Sequence, residues 1–255
     1  MKLVLTDSVA RDIKAVTFDF WNTLVHNRNY GEFRLPLLRE FLRVNGVELD
    51  DPRLLEVYQA GFRYSSELHR SCGRRHVMTN EIVGHVMENV GLRDRCDWTP
   101  MVNAYEEAVL SDPPRLKNGA RKTLKALKGW VRVGLISDSG TSPGRIIRRI
   151  LSDYGVLEYF DVTVFSDEVG YCKPSKVVFK LALEALGVEP GEALHVGDLV
   201  NKDVIGAKRA GMYTAWLKTN EQDYGLDDAP DYIISSLIEV IGILEKEGHR
   251  DLRSP

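Results

Sequence analysis

Four short stretches of the chain carry polar side chains of the kinds that phosphoryl-transfer chemistry uses. Each stretch lies just beyond an apolar run that is typical of a buried strand. Together they supply a carboxylate nucleophile, a hydroxyl, an ammonium group and a second acidic pair, a set that suits a Mg²⁺-dependent site. In chain order they are Asp19 within Phe18–Leu24, Ser137 and Asp138 at the end of Leu135–Asp138, Lys173 within Cys172–Pro174, and Asp198 after Val196 and Gly197, followed by Asp203.

Strands and helices alternate through most of the chain. Short apolar, β-rich runs predict strands at Val16–Phe18, Val131–Ile136, Val162–Phe165, Ala193–Val196, Tyr213–Leu217 and Tyr232–Ile234. Helical spacing of apolar residues predicts helices at Arg115–Lys128, Gly144–Tyr154, Lys176–Leu186 and Lys202–Ala210. This alternation predicts an α/β fold with a doubly wound parallel sheet. Because ligands lie beyond the carboxyl ends of such strands, we expect the four stretches to converge on one crevice.

A block of helical patterns from about Tyr30 to Leu110 interrupts the alternation. We therefore predict an α/β core made of residues 1–28 and 111–255, with residues 29–110 inserted as a helical cap. The predicted cap carries several arginines. One of them could bind a carboxylate or phosphate of a substrate, although most are expected to lie on a solvated charged face. These arginines are Arg34, Arg39, Arg43, Arg63, Arg70, Arg74 and Arg75.

Composition excludes several other classes of protein. The chain has 255 residues and a formal net charge of −3, so we expect no nucleic-acid partner. No apolar run approaches the length of a membrane span or of a secretory signal, and we expect no membrane partner. The three cysteines Cys72, Cys96 and Cys172 lack metal-like spacing and suit reduced thiols. These features predict a cytoplasmic protein, and they specify no oligomeric state.

As an ordered set, the motifs resemble those of the haloacid dehalogenase superfamily, in particular its members with a helical cap inserted after the first strand. The family pattern is Asp-x-Asp-x-Thr, then Ser or Thr, then Lys, then Gly-Asp with a later Asp. The matching residues here are Asp19, Thr23, Ser137, Lys173, Asp198 and Asp203.

The resemblance implies a role for each residue of the site. Asp19 would be the nucleophile that forms an aspartyl-phosphate, with Lys173 and Asp203 as further catalytic residues. Mg²⁺ would be bound by Asp19, Asp198 and the backbone carbonyl of Trp21. The candidate substrate-binding residues are Asn22, Thr23, Ser137, Asp138 and Lys173.

Trp21 departs from the family pattern, because phosphatases of the family usually carry a second Asp there as general acid and base. An indole N–H is no acid at physiological pH. The interpretation that we favour is a Mg²⁺-dependent phosphatase acting on a small phosphorylated metabolite, with a proton source other than residue 21. His26, His69, His76 and His85 are candidates by sequence. A 2-haloacid dehalogenase is an alternative, although its family members lack the Gly-Asp pair kept here. A catalytically weak anion-binding or regulatory module is another.

Overall fold

Six short apolar strands pair into one parallel sheet in this computed structural model, which describes residues 12–219 and 229–247. The strand order is β3-β2-β1-β4-β5-β6, so the first strand lies in the middle of the sheet. The prediction of a doubly wound parallel sheet is confirmed. The strands are Ala15–Phe18 (β1), Arg132–Ser137 (β2), Val162–Phe165 (β3), Ala193–Gly197 (β4), Tyr213–Leu217 (β5) and Tyr232–Ile234 (β6).

Helices cover both faces of the sheet because its strands are apolar on both sides. One buried cluster joins the sheet to α5, α6 and α10, and a second cluster joins it to α8 and α9. The short helix α7 follows β3 directly. These helices are Ala120–Leu127 (α5), Gly144–Asp153 (α6), Ser166–Val169 (α7), Lys176–Leu186 (α8), Ile205–Arg209 (α9) and Glu239–Lys246 (α10).

The four helices between β1 and β2 pack on one another around a hydrophobic cluster of their own. We call them the helical unit. Its members are Gly31–Val44 (α1), Asp51–Ser71 (α2), Thr79–Asn89 (α3) and Thr99–Glu107 (α4). The Asp50 side chain accepts a hydrogen bond from the backbone N–H of Arg53 and so caps the start of α2. No helix among the residues described is long and apolar enough to cross a membrane.

Two predicted helices differ from the observed ones. The helix predicted over Arg115–Lys128 begins only at Ala120, because the preceding segment runs beside the turn after β1, where Leu116 pairs with Val25. The helix predicted over Lys202–Ala210 is α-helical only from Ile205, because Val200–Val204 form a π-helical turn. The Asp203 carboxylate accepts a hydrogen bond from the backbone N–H of Leu199 there, at 2.9 Å. The side chain therefore shapes the turn that carries it.

Phe179 provides a test of the packing beneath the sheet. Its side chain is fully buried, and its ring meets the His195 ring edge-on at 5.1 Å between centroids. We expect Phe179→Ala to lower the free energy of unfolding by about 3–5 kcal/mol, because the emptied space cannot close. Leu181→Ala on the same helix removes a side chain that is 37% exposed, and should cost less than about 1 kcal/mol. Urea denaturation measures both; equal losses would contradict this account of the core.

Candidate active site

Three carboxylates meet at the carboxyl ends of β1 and β4. The two strands are neighbours, with Phe18 opposite Val196, so Asp19 and Asp198 leave the sheet side by side. The backbone N–H of Asp19 donates to the Val196 carbonyl at 2.9 Å and continues this pairing. Carboxylate oxygens of Asp19, Asp198 and Asp203 all lie within 4.8 Å of one another.

The ammonium group of Lys173 lies among these acids. Its Nζ donates to Oδ1 of Asp19, to Oδ1 of Asp203 at 2.7 Å and to the backbone carbonyl of Ile136 at 3.1 Å. Lys173 itself is buried. Its backbone N–H donates to Oδ1 of Asp138 at 2.8 Å, which ties the segment after α7 to the loop after β2. The lysine therefore links segments that follow three different strands.

The charges of this cluster shift its pKa values in opposite directions. Burial raises the pKa of Asp19 to about 7, although the neighbouring Lys173 charge opposes the rise. Burial and the nearby Asp203 charge raise the pKa of Asp198 to about 6. Burial would also raise the pKa of Asp203, but the Lys173 charge and the His195 hydrogen bond bring it well below its ordinary value. Asp203 is thus the ionised partner of Lys173, and Asp198 lacks equivalent compensation.

His195 supports the cluster from within β4. Its Nδ1 lies 2.9 Å from the Thr17 hydroxyl and its Nε2 lies 3.3 Å from Oδ1 of Asp203. Burial lowers the pKa of His195, which favours the neutral ring. In the neutral form that fits both contacts, Nε2–H donates to Asp203 and Nδ1 accepts from Thr17. The ring of His195 is thus buried in the core beside the acidic cluster.

The predicted substrate-binding residues are brought to the same end of the sheet in different ways. Asn22 adopts a positive φ of 58° and lies on the wall of the cavity described below. The Thr23 hydroxyl is buried and lies 3.5 Å from Oδ1 of Asp198. The Ser137 hydroxyl is buried with no hydrogen-bond partner in the described part of the chain. Asp138 accepts from Nζ of Lys202 at 2.9 Å. Thr23 and Ser137 are not themselves part of the cavity wall.

A cavity of about 1080 Å³ opens above the acidic cluster, between the core loops and the helical unit. Its floor includes Asp19, Asp198 and Lys173, and its other side is formed by residues of α1 and α2. Trp21 is half-buried on the wall, with its ring edge-on to Phe20 at 4.8 Å between centroids. The position that usually holds a general acid is therefore next to the cavity, but it carries no acidic group.

Two lysines near the acids were not singled out by the sequence. Lys202 lies on the cavity wall and pairs with Asp138, and its place between Asp198 and Asp203 is the sequence signal that could have revealed it. Lys117 is half-buried; burial lowers its pKa while the charges of Asp198 and Asp19 raise it. No pattern around Lys117 marks it, because its position depends on the pairing of Lys117 N–H with the Leu24 carbonyl.

None of the candidate histidines forms part of the cavity wall. His26 is exposed, and His85 stacks on Tyr64 at 4.4 Å between ring centroids. Nδ1 of His76 lies 2.9 Å from the Ser166 hydroxyl in a buried contact between the helical unit and α7. Nδ1 of His69 lies 3.4 Å from the Arg75 carbonyl. The proton source that these residues were expected to offer remains a prediction.

The donor set fits a small hard cation. Mg²⁺ prefers oxygen ligands and typically takes one or two carboxylates while it keeps several waters. Burial, and then the neighbouring acids, raise the pKa values of Asp19 and Asp198, so the protein only partly balances their negative charge. Asp19, Asp198 and the carbonyl of Trp21 are the residues that could hold such an ion, with Asp203 engaged by Lys173.

Lys173→Met tests whether this ammonium group stabilises the two acids that it contacts. We expect a loss of about 3–5 kcal/mol in the free energy of unfolding at pH 8, because two buried carboxylates lose their counter-charge. Without the lysine the folded pKa of Asp19 rises still further above its unfolded value, and that of Asp203 rises from below its unfolded value to above it. The loss should therefore shrink as pH falls toward 5 and both acids take up protons. Urea denaturation without Mg²⁺ at both pH values measures this.

Lys202→Met is the matched control, since its partly exposed pair with Asp138 should contribute about 1 kcal/mol or less. A loss for Lys173→Met that is the same at both pH values would contradict the account.

Comparisons with known proteins agree with this architecture. The family model for haloacid dehalogenase-like hydrolases matches residues 13–211. A glyceraldehyde 3-phosphate phosphatase of Pyrococcus furiosus is 38% identical over 252 residues, which cover 94% of this chain and 97% of that protein. The crystal structure of a haloacid dehalogenase-type phosphatase from Thermococcus onnurineus is 28% identical, with a TM-score of 0.64 over 92% of this chain and 99% of its own. A 2-haloacid dehalogenase from Pseudomonas syringae, 23% identical with a TM-score of 0.66 over 91% of this chain and 98% of its own, shares the fold. The chain belongs to the family of haloacid dehalogenase-like hydrolases.

Proposed function

We propose that this hydrolase is a Mg²⁺-dependent phosphatase that acts on a small phosphorylated metabolite through an aspartyl-phosphate on Asp19. The observation that carries the proposal is the position of Asp19 on the cavity floor, in contact with Lys173 and within 4.8 Å of Asp198. The phosphatase names of the Pyrococcus and Thermococcus relatives support the choice of a phosphate ester as substrate.

In the proposed reaction a carboxylate oxygen of Asp19 attacks phosphorus, and the ester bond to the leaving oxygen breaks. Asp19, Asp198 and the backbone carbonyl of Trp21 would hold Mg²⁺, whose positive charge would offset the repulsion between the carboxylate and the phosphate dianion. Lys173 and the unpartnered hydroxyl of Ser137 supply a positive charge and a donor for the transferring phosphoryl oxygens. A water then hydrolyses the aspartyl-phosphate and regenerates Asp19.

The helical unit would act as the cap in this proposal. Its helices α1 and α2 form one side of the cavity while the catalytic loops form the other. A substrate on Asp19 would therefore be enclosed from both sides, which excludes bulk water during phosphoryl transfer. The cap would also contact the part of the substrate that does not react, and so would choose among esters.

Asp19→Asn tests the nucleophile. An amide cannot form the acyl phosphate, so we expect turnover of p-nitrophenyl phosphate to fall by on the order of 10⁴-fold or more. Mass spectrometry of the wild-type protein quenched during turnover should find the phosphorylated Asp19. Asp161→Asn is the control, because Asp161 lies at the amino end of β3, whereas the site lies at the carboxyl ends of the strands. This variant should keep near wild-type turnover.

Wild-type turnover by Asp19→Asn would contradict the assignment. Metal-independent release of chloride from 2-chloropropionate by the wild-type protein would instead favour the dehalogenase alternative, which an aromatic residue at position 21 keeps open.

Trp21→Asp tests the missing acid. A carboxylic acid at this position could protonate the leaving oxygen, and such help is typically worth 10²–10⁴-fold. We expect hydrolysis of an alkyl phosphate to rise by about 10-fold or more, and that of p-nitrophenyl phosphate much less, because its leaving group needs little protonation. Trp21→Phe separates loss of the indole from gain of the acid. Equal acceleration of both esters would contradict this explanation of residue 21.

A further inference from the structure

A buried arginine in the helical unit lies on the cavity wall without an acidic partner. Arg34 belongs to the first turns of α1 and is only 5% exposed. Its Nε donates to the backbone carbonyl of Tyr105 on α4 at 3.0 Å, which fixes the plane of the guanidinium group. No carboxylate of the described residues lies within ion-pair distance of it.

Tyrosine side chains surround the guanidinium group. Its central carbon lies 5.8 Å from the ring centroid of Tyr30 and 6.0 Å from that of Tyr105. Tyr58 lies beside them on the cavity wall, with its ring centroid 6.0 Å from that of Tyr105. Burial raises the pKa of Tyr58, and the charge of Arg34 opposes the rise. The hydroxyls of Tyr30 and Tyr105 are buried and have no partner within residues 12–219 and 229–247. Aromatic faces attract the cation, but they carry no net negative charge.

The other cationic side chains on the cavity wall are either paired with carboxylates or exposed to solvent. Lys173 pairs with Asp19 and Asp203, and Lys202 pairs with Asp138. Arg28 pairs with acids at the exposed rim. Arg63 shares with Arg34 the lack of an acidic partner among the described residues, but it is exposed to solvent. Arg34 is therefore the buried positive charge on this wall that no described carboxylate balances.

We propose that Arg34, with the Tyr58 hydroxyl beside it, binds a carboxylate at the end of the substrate remote from the phosphate. This rests on the proposed phosphatase function, since the phosphoryl group is assigned to the Asp19 side of the same cavity. The substrate class is then a phosphorylated carboxylic acid that spans the cavity from Asp19 to α1.

A carboxylate suits the guanidinium group of Arg34 better than a second phosphate, an aldehyde or a hydroxyl does. One guanidinium carries one positive charge, which a carboxylate matches, and the planar pair can form two parallel hydrogen bonds from the terminal nitrogens. A second phosphate would bring close to two negative charges against one. An aldehyde or hydroxyl would leave the buried charge unbalanced. The aldehyde substrate in the name of the Pyrococcus relative is thus the natural comparison.

The test compares esters that differ only at the remote end. The pairs are 3-phosphoglycerate with glyceraldehyde 3-phosphate, 2-phosphoglycolate with ethyl phosphate, and O-phosphoserine with O-phosphoethanolamine. We expect kcat/KM to favour the acid by at least about 10-fold in one pair or more. No preference in any pair would overturn the proposal, and a stronger preference for 1,3-propanediol bisphosphate over every acid would overturn the choice of a carboxylate.

Variants of Arg34 separate binding from folding. Arg34→Met should abolish the preference for the acid, mainly through a higher KM for the acid. Arg34→Lys should retain part of the preference, and Tyr58→Phe, which keeps the ring, should reduce it. Thermal denaturation of each variant confirms that it is folded.

Arg63→Met is the matched control at the exposed rim. Loss of the preference in Arg63→Met but not in Arg34→Met would overturn the assignment. An equal fall of both members of a pair in Arg34→Met would show a purely structural arginine. If the wild-type protein hydrolysed none of these esters nor p-nitrophenyl phosphate, the proposed function itself would fail, which is a distinct result.

Discussion

The buried contact between Lys173 and two aspartates is the constraint on which the rest of the site depends. Asp19 and Asp203 are both withdrawn from water, and carboxylates in that position are stable only with a compensating charge. The single ammonium group serves both, and it also holds the carbonyl that precedes Ser137. The segments that follow β1, β2 and β4 are therefore fixed relative to one another by a group that enters from a fourth segment.

Close packing of backbone and side chains makes this arrangement possible. A Cβ atom on Gly197 would lie 2.3 Å from Cγ of Asp203, so only glycine lets the acid return onto the end of β4. A Cβ on Gly206 would lie 2.5 Å from the Phe179 ring, the same ring that packs edge-on against His195. The glycine of the Gly-Asp pair is thus required by the position of Asp203, not by the flexibility of a loop.

The strands and the catalytic-site candidates were predictable from sequence because local features of the chain mark them. The strands and the residues that follow them were predicted, because apolar runs and polar ends are local features. The predicted start of α5 was wrong, because the segment before Ala120 pairs with the turn after β1. That pairing joins Leu116 to Val25, which is far away in the sequence. By sequence, Arg34 was only one of the seven arginines named in the predicted cap, which holds ten in all. Its burial depends on how α1, α2 and α4 pack, and no local pattern encodes that.

In the proposed phosphatase, chemistry and selectivity would belong to different parts of the chain, which would explain how the site can carry Trp21. The core loops provide the carboxylates, the lysine and the hydroxyl, and these fix where a phosphoryl group can be held. The helical unit provides Arg34 and Tyr58 on the facing wall. A cavity that holds a substrate at both ends can position the ester bond accurately without a group at residue 21. Tight positioning of this kind would lower the barrier by itself, so in the proposed phosphatase the loss of the usual acid would reduce the rate without removing the function.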